Sequence, residues 1–286
     1  MPELPEVETV MRGLRPVMEG RRFERVAVRR PNLRFALKPD LAQRLEGRQV
    51  STLERRAKYI WITLDDGQIL FFHLGMSGRM TIHGKDELPE PGKHDHILFD
   101  MSGENGFENQ VRFCDPRRFG MMDIADDRAA LLRDRAFARL GPEPLGNAFN
   151  GPALIEIFRG RKAPLKAALL DQRNIAGLGN IYVCEALNLS GLSPLRPAGT
   201  LSADEADRLA SAVRQTLEQA IEAGGSSLRD YVQASGELGY FQHQWRVYGK
   251  EGEACPACGE RAGDKALIQR IQQSGRSTFW CENCQH

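Results

Sequence analysis

The sequence predicts an α+β protein: an N-terminal β-sandwich with a flanking helix, then a helical domain that ends in a cysteine-bearing β-hairpin. Three observations predict it. The hydrophobic period changes near residue 20 and again near residue 140, short apolar runs broken by turn residues fill the interval, and two Cys-x-x-Cys pairs stand at the C-terminal end. At 286 residues the chain exceeds the usual domain of about 100–200 residues. Four parts are expected: 2–135, 136–225, a connector over 226–250, and a finger over 251–286.

Residues 6–18 read as a helix because Val7, Val10, Met11, Leu14 and Val17 recur at helical spacing. From Phe23 to Asp123, runs such as Tyr59-Ile60-Trp61-Ile62-Thr63-Leu64 and Ile69-Leu70-Phe71-Phe72 are separated by turns like Asp65-Asp66-Gly67, the pattern of short strands. Past Leu140-Gly141-Pro142-Glu143-Pro144, helices are expected over 153–158, 164–170, 180–187 and 203–223. The last opens on the capping-box pattern Ser202-x-x-Glu205 and closes at Gly224-Gly225. The glycine-punctuated turn of 171–180 is either a plain connection or a set of backbone amides at a helix start that can hold an anion. Residues 224–250 read as a long loop.

With 41% hydrophobic and 27% charged residues, the composition is that of a globular protein and excludes a disordered or fibrous one. No apolar run approaches the roughly 20 residues that span a bilayer, and Met-Pro-Glu-Leu-Pro-Glu lacks a secretory apolar core, so a cytoplasmic protein is expected. Net charge is only +1, yet residues 11–60 hold fourteen Lys/Arg against five Asp/Glu. That excess describes either a phosphate-facing surface or a solvated face.

Cys255, Cys258, Cys281 and Cys284 form two knuckles separated by 22 residues, which suits one tetrahedral Zn²⁺. Four sulfurs close the coordination sphere, so the metal is structural. Residues 267–271 and 275–280 can supply two strands, with Arg276 at a rigid tip suited to a phosphate. Cys114 and Cys184 stand apart and read as packing residues.

Removal of Met1 turns Pro2 into a secondary amine, and an α-amine with a pKa of about 7.7–8.0 is far more often neutral than a lysine. Attack by such an amine on a sugar C1′ gives an iminium, an electron sink for later elimination. Glu3 and Glu6 lie beside it for proton transfer and orientation. Alone, the same residues also describe an acidic helix start.

The opening Met1-Pro2-Glu3-Leu4-Pro5-Glu6-Val7-Glu8-Thr9 resembles that of the formamidopyrimidine-DNA glycosylases. The resemblance continues in order through Arg55-Arg56-Ala57-Lys58-Tyr59, His73-Leu74-Gly75-Met76-Ser77-Gly78, Lys93-His94-Asp95-His96 and Asp115-Pro116-Arg117-Arg118-Phe119-Gly120. It then covers Gly141-Pro142-Glu143-Pro144-Leu145, Gly177-Leu178-Gly179-Asn180-Ile181-Tyr182 and the cysteine finger.

This resemblance implies a helix-two-turn-helix domain before the finger, with DNA between the two domains. It also implies excision of 8-oxoguanine and formamidopyrimidines from duplex DNA, followed by β,δ-elimination at the abasic site, by a monomer working on the bacterial nucleoid. It makes Pro2 the Schiff-base nucleophile, Glu3 the proton donor, and Lys58 and Arg276 the residues of β- and δ-elimination. Glu6 supports them. His73, His94, Arg117, Arg161 and Asn180 fall at DNA-contacting positions, Lys162 being an alternative to Arg161. Met76, Arg117 and Phe119 match a trio that fills the hole left by an extruded nucleotide. Ser277 departs from a common glycine, which questions the backbone freedom of the finger tip.

Two rivals remain at this level. One is an endonuclease VIII-like glycosylase for oxidised pyrimidines, against which Leu4, the Val7-Glu8-Thr9 continuation, Arg117 and Phe119 argue. The other is a non-catalytic zinc-finger binder of damaged DNA. Because a base must leave the stack before C1′ can be attacked, residues 225–242 are expected to form a lid over it, the rival reading being a passive linker between the helices and the finger.

Overall fold

The computed structural model describes residues 1–103, 106–226, 239–258 and 266–286. They form two compact units: Met1–Ala138 with Ala223–Gln242, and Arg139–Glu222 with His243–His286.

In the first unit, helix α1 (Leu4–Met18) starts two residues before the expected start at residue 6, and Leu4 extends its apolar face by one position. Pro5 fits the first turn, where its missing N–H is not needed. Glu6 closes the helix start by accepting the Glu3 N–H at 2.8 Å. The buried face is Leu4, Val7, Val10, Met11, Leu14 and Met18.

Eight strands follow: β1 (Phe23–Val28), β2 (Val50–Arg56), β3 (Tyr59–Leu64), β4 (Ile69–His73), β5 (Arg79–Gly84), β6 (Asp95–Gly103), β7 (Gly106–Cys114) and β8 (Met121–Ala125). They build two antiparallel four-stranded sheets, ordered β1-β6-β7-β5 and β2-β3-β4-β8. Phe23, Phe99, Val111 and Phe113 of one sheet share a core with Ile60, Ile62, Leu70 and Phe72 of the other and with α1. Each such side chain contributes about 1.5–3 kcal/mol by leaving water.

The alternate residues of β3 and β4 are covered as well. Phe137 sets its ring edge against Tyr59, Trp61 and Phe71, with centroids 4.8, 5.0 and 5.2 Å away. Burial on both faces explains why these strands read as unbroken apolar runs instead of alternating ones. Helices α2 (Leu41–Leu45) and α3 (Arg128–Arg133) are too short to show a period in sequence.

The stretch read as a lid falls mostly on 227–238, outside the described residues. Its flanks are held: Ser226 donates its N–H to Glu6 Oε1 at 2.8 Å, and Phe241 donates to the Gly225 carbonyl at 3.1 Å.

The second unit holds α4 (Gly151–Phe158), α5 (Leu165–Leu170), α6 (Asn180–Ser190) and α7 (Ala203–Glu222), then the hairpin β9 (Gln269–Gln273) and β10 (Arg276–Trp280). The capping box of α7 forms as read, with the Ser202 N–H on Glu205 at 2.9 Å and the Glu205 N–H on Ser202 Oγ at 3.3 Å. Arg196 hydrogen-bonds the same carboxylate and holds its pKa down at about 2. Among the described residues no helix is long and apolar enough to cross a membrane.

Candidate active site and nucleic-acid surfaces

Met1 is exposed, and the residues directly after it are buried. Pro2, Glu3 and Glu6 all lie under the surface of the first unit. Glu6 accepts two backbone amides, those of Glu3 and Ser226, each at 2.8 Å, so one carboxylate ties the Pro2-Glu3 segment to the entry of the 227–238 stretch.

Lys58 is 6% exposed and sits in the two-residue turn between β2 and β3. Its neighbour Ala57 has φ +55°, a left-handed conformation that costs a non-glycine residue about 1–3 kcal/mol and persists only when its surroundings impose it. Arg55 imposes it. Its guanidinium bonds the Ala57 carbonyl at 3.0 Å and Glu8 of α1 at 2.9 Å, fixing the Lys58 turn to the helix that follows Pro2.

His73, at the end of β4, accepts the Gly75 N–H on Nδ1 at 2.8 Å, a bond that needs the neutral ring. Burial first, then the Lys58 charge and then Arg34, hold its pKa down at about 4. His73 is therefore an uncharged histidine, kept so in part by the cation of Lys58.

Met76, Arg117 and Phe119 come together on two adjoining turns. All three are exposed, and the Arg117 guanidinium lies 5.1 Å from the Phe119 ring centroid. An arginine against an aromatic face beside a thioether can both stack and address a base edge. Gly75, with φ +65°, lets the turns touch: a Cβ there would lie 2.3 Å from the Phe119 carbonyl carbon. His94 is exposed and, with Arg30, Lys93, His96 and Arg118, lines a basic concavity of about 240 Å³.

Part of the basic excess of residues 11–60 is matched within the fold. Arg12, Arg15, Arg21, Arg22, Lys38, Arg44, Arg48 and Arg55 each pair with a carboxylate.

In the second unit, Gln172 pins the turn before α6. It accepts the Gly177 N–H at 2.9 Å and donates to the Leu178 carbonyl at 2.8 Å. Asn180 and Lys166 both donate to the Ser277 carbonyl at 2.9 Å, joining α5 and α6 to the finger hairpin. Arg276 is exposed at the tip, and the tight turn is made by Ser274 and Gly275 at φ +48° and +74°. Backbone freedom is therefore needed at those positions and not at Ser277. Arg161 is exposed, its guanidinium folded onto the Ile157 carbonyl at 2.7 Å.

Cys255, Cys258, Cys281 and Cys284 are buried with their sulfurs within 4.8 Å of one another. The pairs Cys255–Cys284 and Cys258–Cys281 are 3.6 Å apart, against about 3.8 Å for the edge of a tetrahedron with Zn–S bonds of about 2.3 Å. Burial, and then the neighbouring Cys255, push the Cys284 thiol up. A divalent cation is what lets four sulfurs ionise in one pocket. The donor set fits one structural Zn²⁺, while Cys114 and Cys184 lie outside it, buried.

Sequence reasoning passed over the residues that hold these parts in place. Glu185 accepts the amides of Arg246, Val247 and Tyr248 at 2.7, 3.1 and 2.8 Å. Gln285 bridges Asn188 and the Cys281 N–H. Asp115, Ser77 and Arg55 bind turns that carry named site residues. Buried polar side chains of this kind leave no periodic signal; only the unusual appearance of Asp and Glu inside apolar stretches points to them.

Residues 1–122 match the model of the formamidopyrimidine-DNA glycosylase N-terminal domain, and residues 140–232 that of the formamidopyrimidine-DNA glycosylase H2TH domain. The chain belongs to the formamidopyrimidine-DNA glycosylase family. The formamidopyrimidine-DNA glycosylase of Brucella ovis is 51% identical over 299 residues and that of Cereibacter sphaeroides 53% over 293, each aligned across 100% of both chains. Among solved structures, the MutM (Fpg) protein of Thermus thermophilus has a TM-score of 0.84 at 39% identity, covering 99% of this chain and 98% of its own. The Lactococcus lactis Fpg bound to abasic-site DNA has a TM-score of 0.86 at 32% identity, with both chains covered in full. The glycosylase family therefore accounts for both units, and the sandwich, the helix-two-turn-helix domain and the four-cysteine finger are its parts.

Proposed function

We infer that the protein is a bifunctional DNA-formamidopyrimidine glycosylase and abasic-site lyase, a DNA repair enzyme that excises 8-oxoguanine and formamidopyrimidines from duplex DNA and then cuts the strand by β,δ-elimination. One observation carries the reading: Pro2 and Glu3 are buried on the first turn before α1, with Glu6 fixing the Glu3 amide. That arrangement supplies an amine and a proton source at one place.

After Met1 is lost, the Pro2 nitrogen forms a bond to C1′ as the bond from C1′ to the base breaks, and Glu3 gives a proton as the base leaves. The C1′–O4′ bond then breaks, O4′ taking the proton that the Pro2 nitrogen gives up, and the iminium left at C1′ draws electrons from C2′, so loss of the C2′ proton expels the 3′-phosphate. A second elimination expels the 5′-phosphate. Lys58 serves the first elimination and Arg276 the second. Met76, Arg117 and Phe119 fill the vacated stack, while His73, His94, Arg161 and Asn180 hold the backbone. Zinc, when held by Cys255, Cys258, Cys281 and Cys284, supplies shape to the finger and no chemistry. The enzyme acts as a monomer on DNA of the bacterial nucleoid.

Borohydride trapping tests this. The protein should cross-link to 8-oxoguanine duplexes in preference to thymine glycol duplexes, and a protein verified to retain Met1 should not cross-link. A thymine glycol preference would favour the endonuclease VIII-like reading. No cross-link with either substrate would leave a non-catalytic binder.

A further inference from the structure

We propose that Asp115 is a positioning residue whose buried carboxylate locks the turn bearing Met76 to the turn bearing Arg117 and Phe119, so that the three side chains enter DNA as one rigid wedge. The inference rests on reading those three residues as the group that replaces an extruded nucleotide.

Asp115 is fully buried at the end of β7, and its two carboxylate oxygens reach different turns. Oδ1 accepts the Ser77 hydroxyl at 2.7 Å; Oδ2 accepts the Gly120 N–H at 2.8 Å. Ser77 Oγ in turn accepts the Arg117 N–H at 3.2 Å, closing a ring from Asp115 through Ser77 to the wedge arginine. The Asp115 carbonyl is held by His96 Nε2 at 2.8 Å and accepts the Arg118 N–H at 3.3 Å.

Beside this ring the two backbones are in contact at Gly75, and Gly120 is equally tight: a Cβ there would lie 2.7 Å from the Phe113 ring and 3.0 Å from Asp115. Arg118 is held at φ +57°, so the 116–119 turn is strained and needs an external restraint.

The wedge side chains are exposed, and while Arg117 rests against the Phe119 ring, Met76 comes from the other turn, so its distance to them is set by how the two turns are joined. A base-sized gap tolerates little error, because stacking contacts weaken within a fraction of an ångström. Two donors converge on Asp115, and the carboxylate accepts both with charge assistance. In Asp115→Asn the amide oxygen can keep the Gly120 N–H, but the bond to Ser77 must reverse, with Nδ2 donating to a hydroxyl that already accepts the Arg117 N–H, and both bonds become neutral ones. Losing charge assistance in both arms of the ring predicts about a ten- to hundredfold fall in wedge-dependent rate.

The test is a double-mutant cycle of Asp115→Asn with Met76→Ala. Single-turnover excision of 8-oxoguanine from a duplex is measured together with the fluorescence of a 2-aminopurine placed next to the lesion, which reports wedge entry. Melting temperature and zinc content verify the fold. Asp115→Asn should slow excision and blunt the fluorescence rise, and adding it to Met76→Ala should cost little more.

Effects that multiply in the double variant, or a folded Asp115→Asn with normal excision, would overturn the role of Asp115 alone. Normal excision by Met76→Ala would overturn the wedge reading and this inference with it. If Asp115→Asn does not accumulate folded, Ser77→Ala opens the same ring without leaving a changed charge, and the cycle is run with it.

Discussion

The neutral His73 ring makes stability depend on pH in a defined window. Its pKa is held at about 4 in the folded chain, while an unfolded histidine titrates at about 6.5. Above pH 6.5 neither state binds the proton and the full contribution is present. As pH falls from about 6.5 to about 4, only the unfolded chain takes up a proton, so stability declines across that interval and levels off below it. The displacement corresponds to about 3 kcal/mol in total, of which about 2 is lost by pH 5. Denaturant midpoints measured from pH 8 to pH 4 should fall more steeply for the wild type than for His73→Asn, which has no such proton to bind. Imidazole ¹⁵N shifts give the pKa directly. Lys58→Met should raise it only in part, because burial is the larger cause and the Lys58 charge the second. A ring that titrates near 6.5 in the folded wild type, or parallel acid limbs in the two proteins, would refute the reasoning.

Three further outcomes are expected. Cys281→Ser should lose its zinc and its DNA affinity together, since the metal contributes about 10–16 kcal/mol to small fingers and a lone hairpin is marginal without it; metal analysis beside a binding titration checks this, and tight binding without zinc would remove the finger from the DNA grip. Glu6→Gln keeps one acceptor oxygen where two amides converge, so base excision should slow about tenfold in a protein that melts normally; an unchanged rate would mean that Glu6 does no more than start α1. Deleting 232–239 should spare cleavage of a plain abasic site and impair excision of an oxidised purine, whereas equal loss on both substrates would end the lid reading.

The helices, the sandwich strands and the zinc knuckles were legible because each leaves a local trace: a period, a run between turns, or a paired spacing. Val7 to Leu14 announces α1 by its spacing, and Cys255 to Cys284 announces a metal by its chemistry. What stayed hidden is long-range or locally unfavourable. Lys58 could be named from a motif, but its placement depends on Arg55 and on Ala57 in a left-handed conformation that no propensity favours. The basic count of residues 11–60 suggested a one-signed surface, yet several of those arginines meet acids brought from elsewhere in the fold, such as Arg44 with Asp126 and Arg48 with Asp66. Pairings across such distances in sequence are set by sheet register, which composition does not encode.

Two side chains, Lys166 and Asn180, converge on a main-chain oxygen, that of Ser277. A partner that reads the main chain is indifferent to what the residue carries, so inheritance at position 277 can drift between glycine and serine without the finger losing its seat. Drift at Lys166 or Asn180 has no such freedom. Sequence variation across related proteins should therefore be lopsided here: loose at the oxygen's owner, strict at the two donors that grasp it.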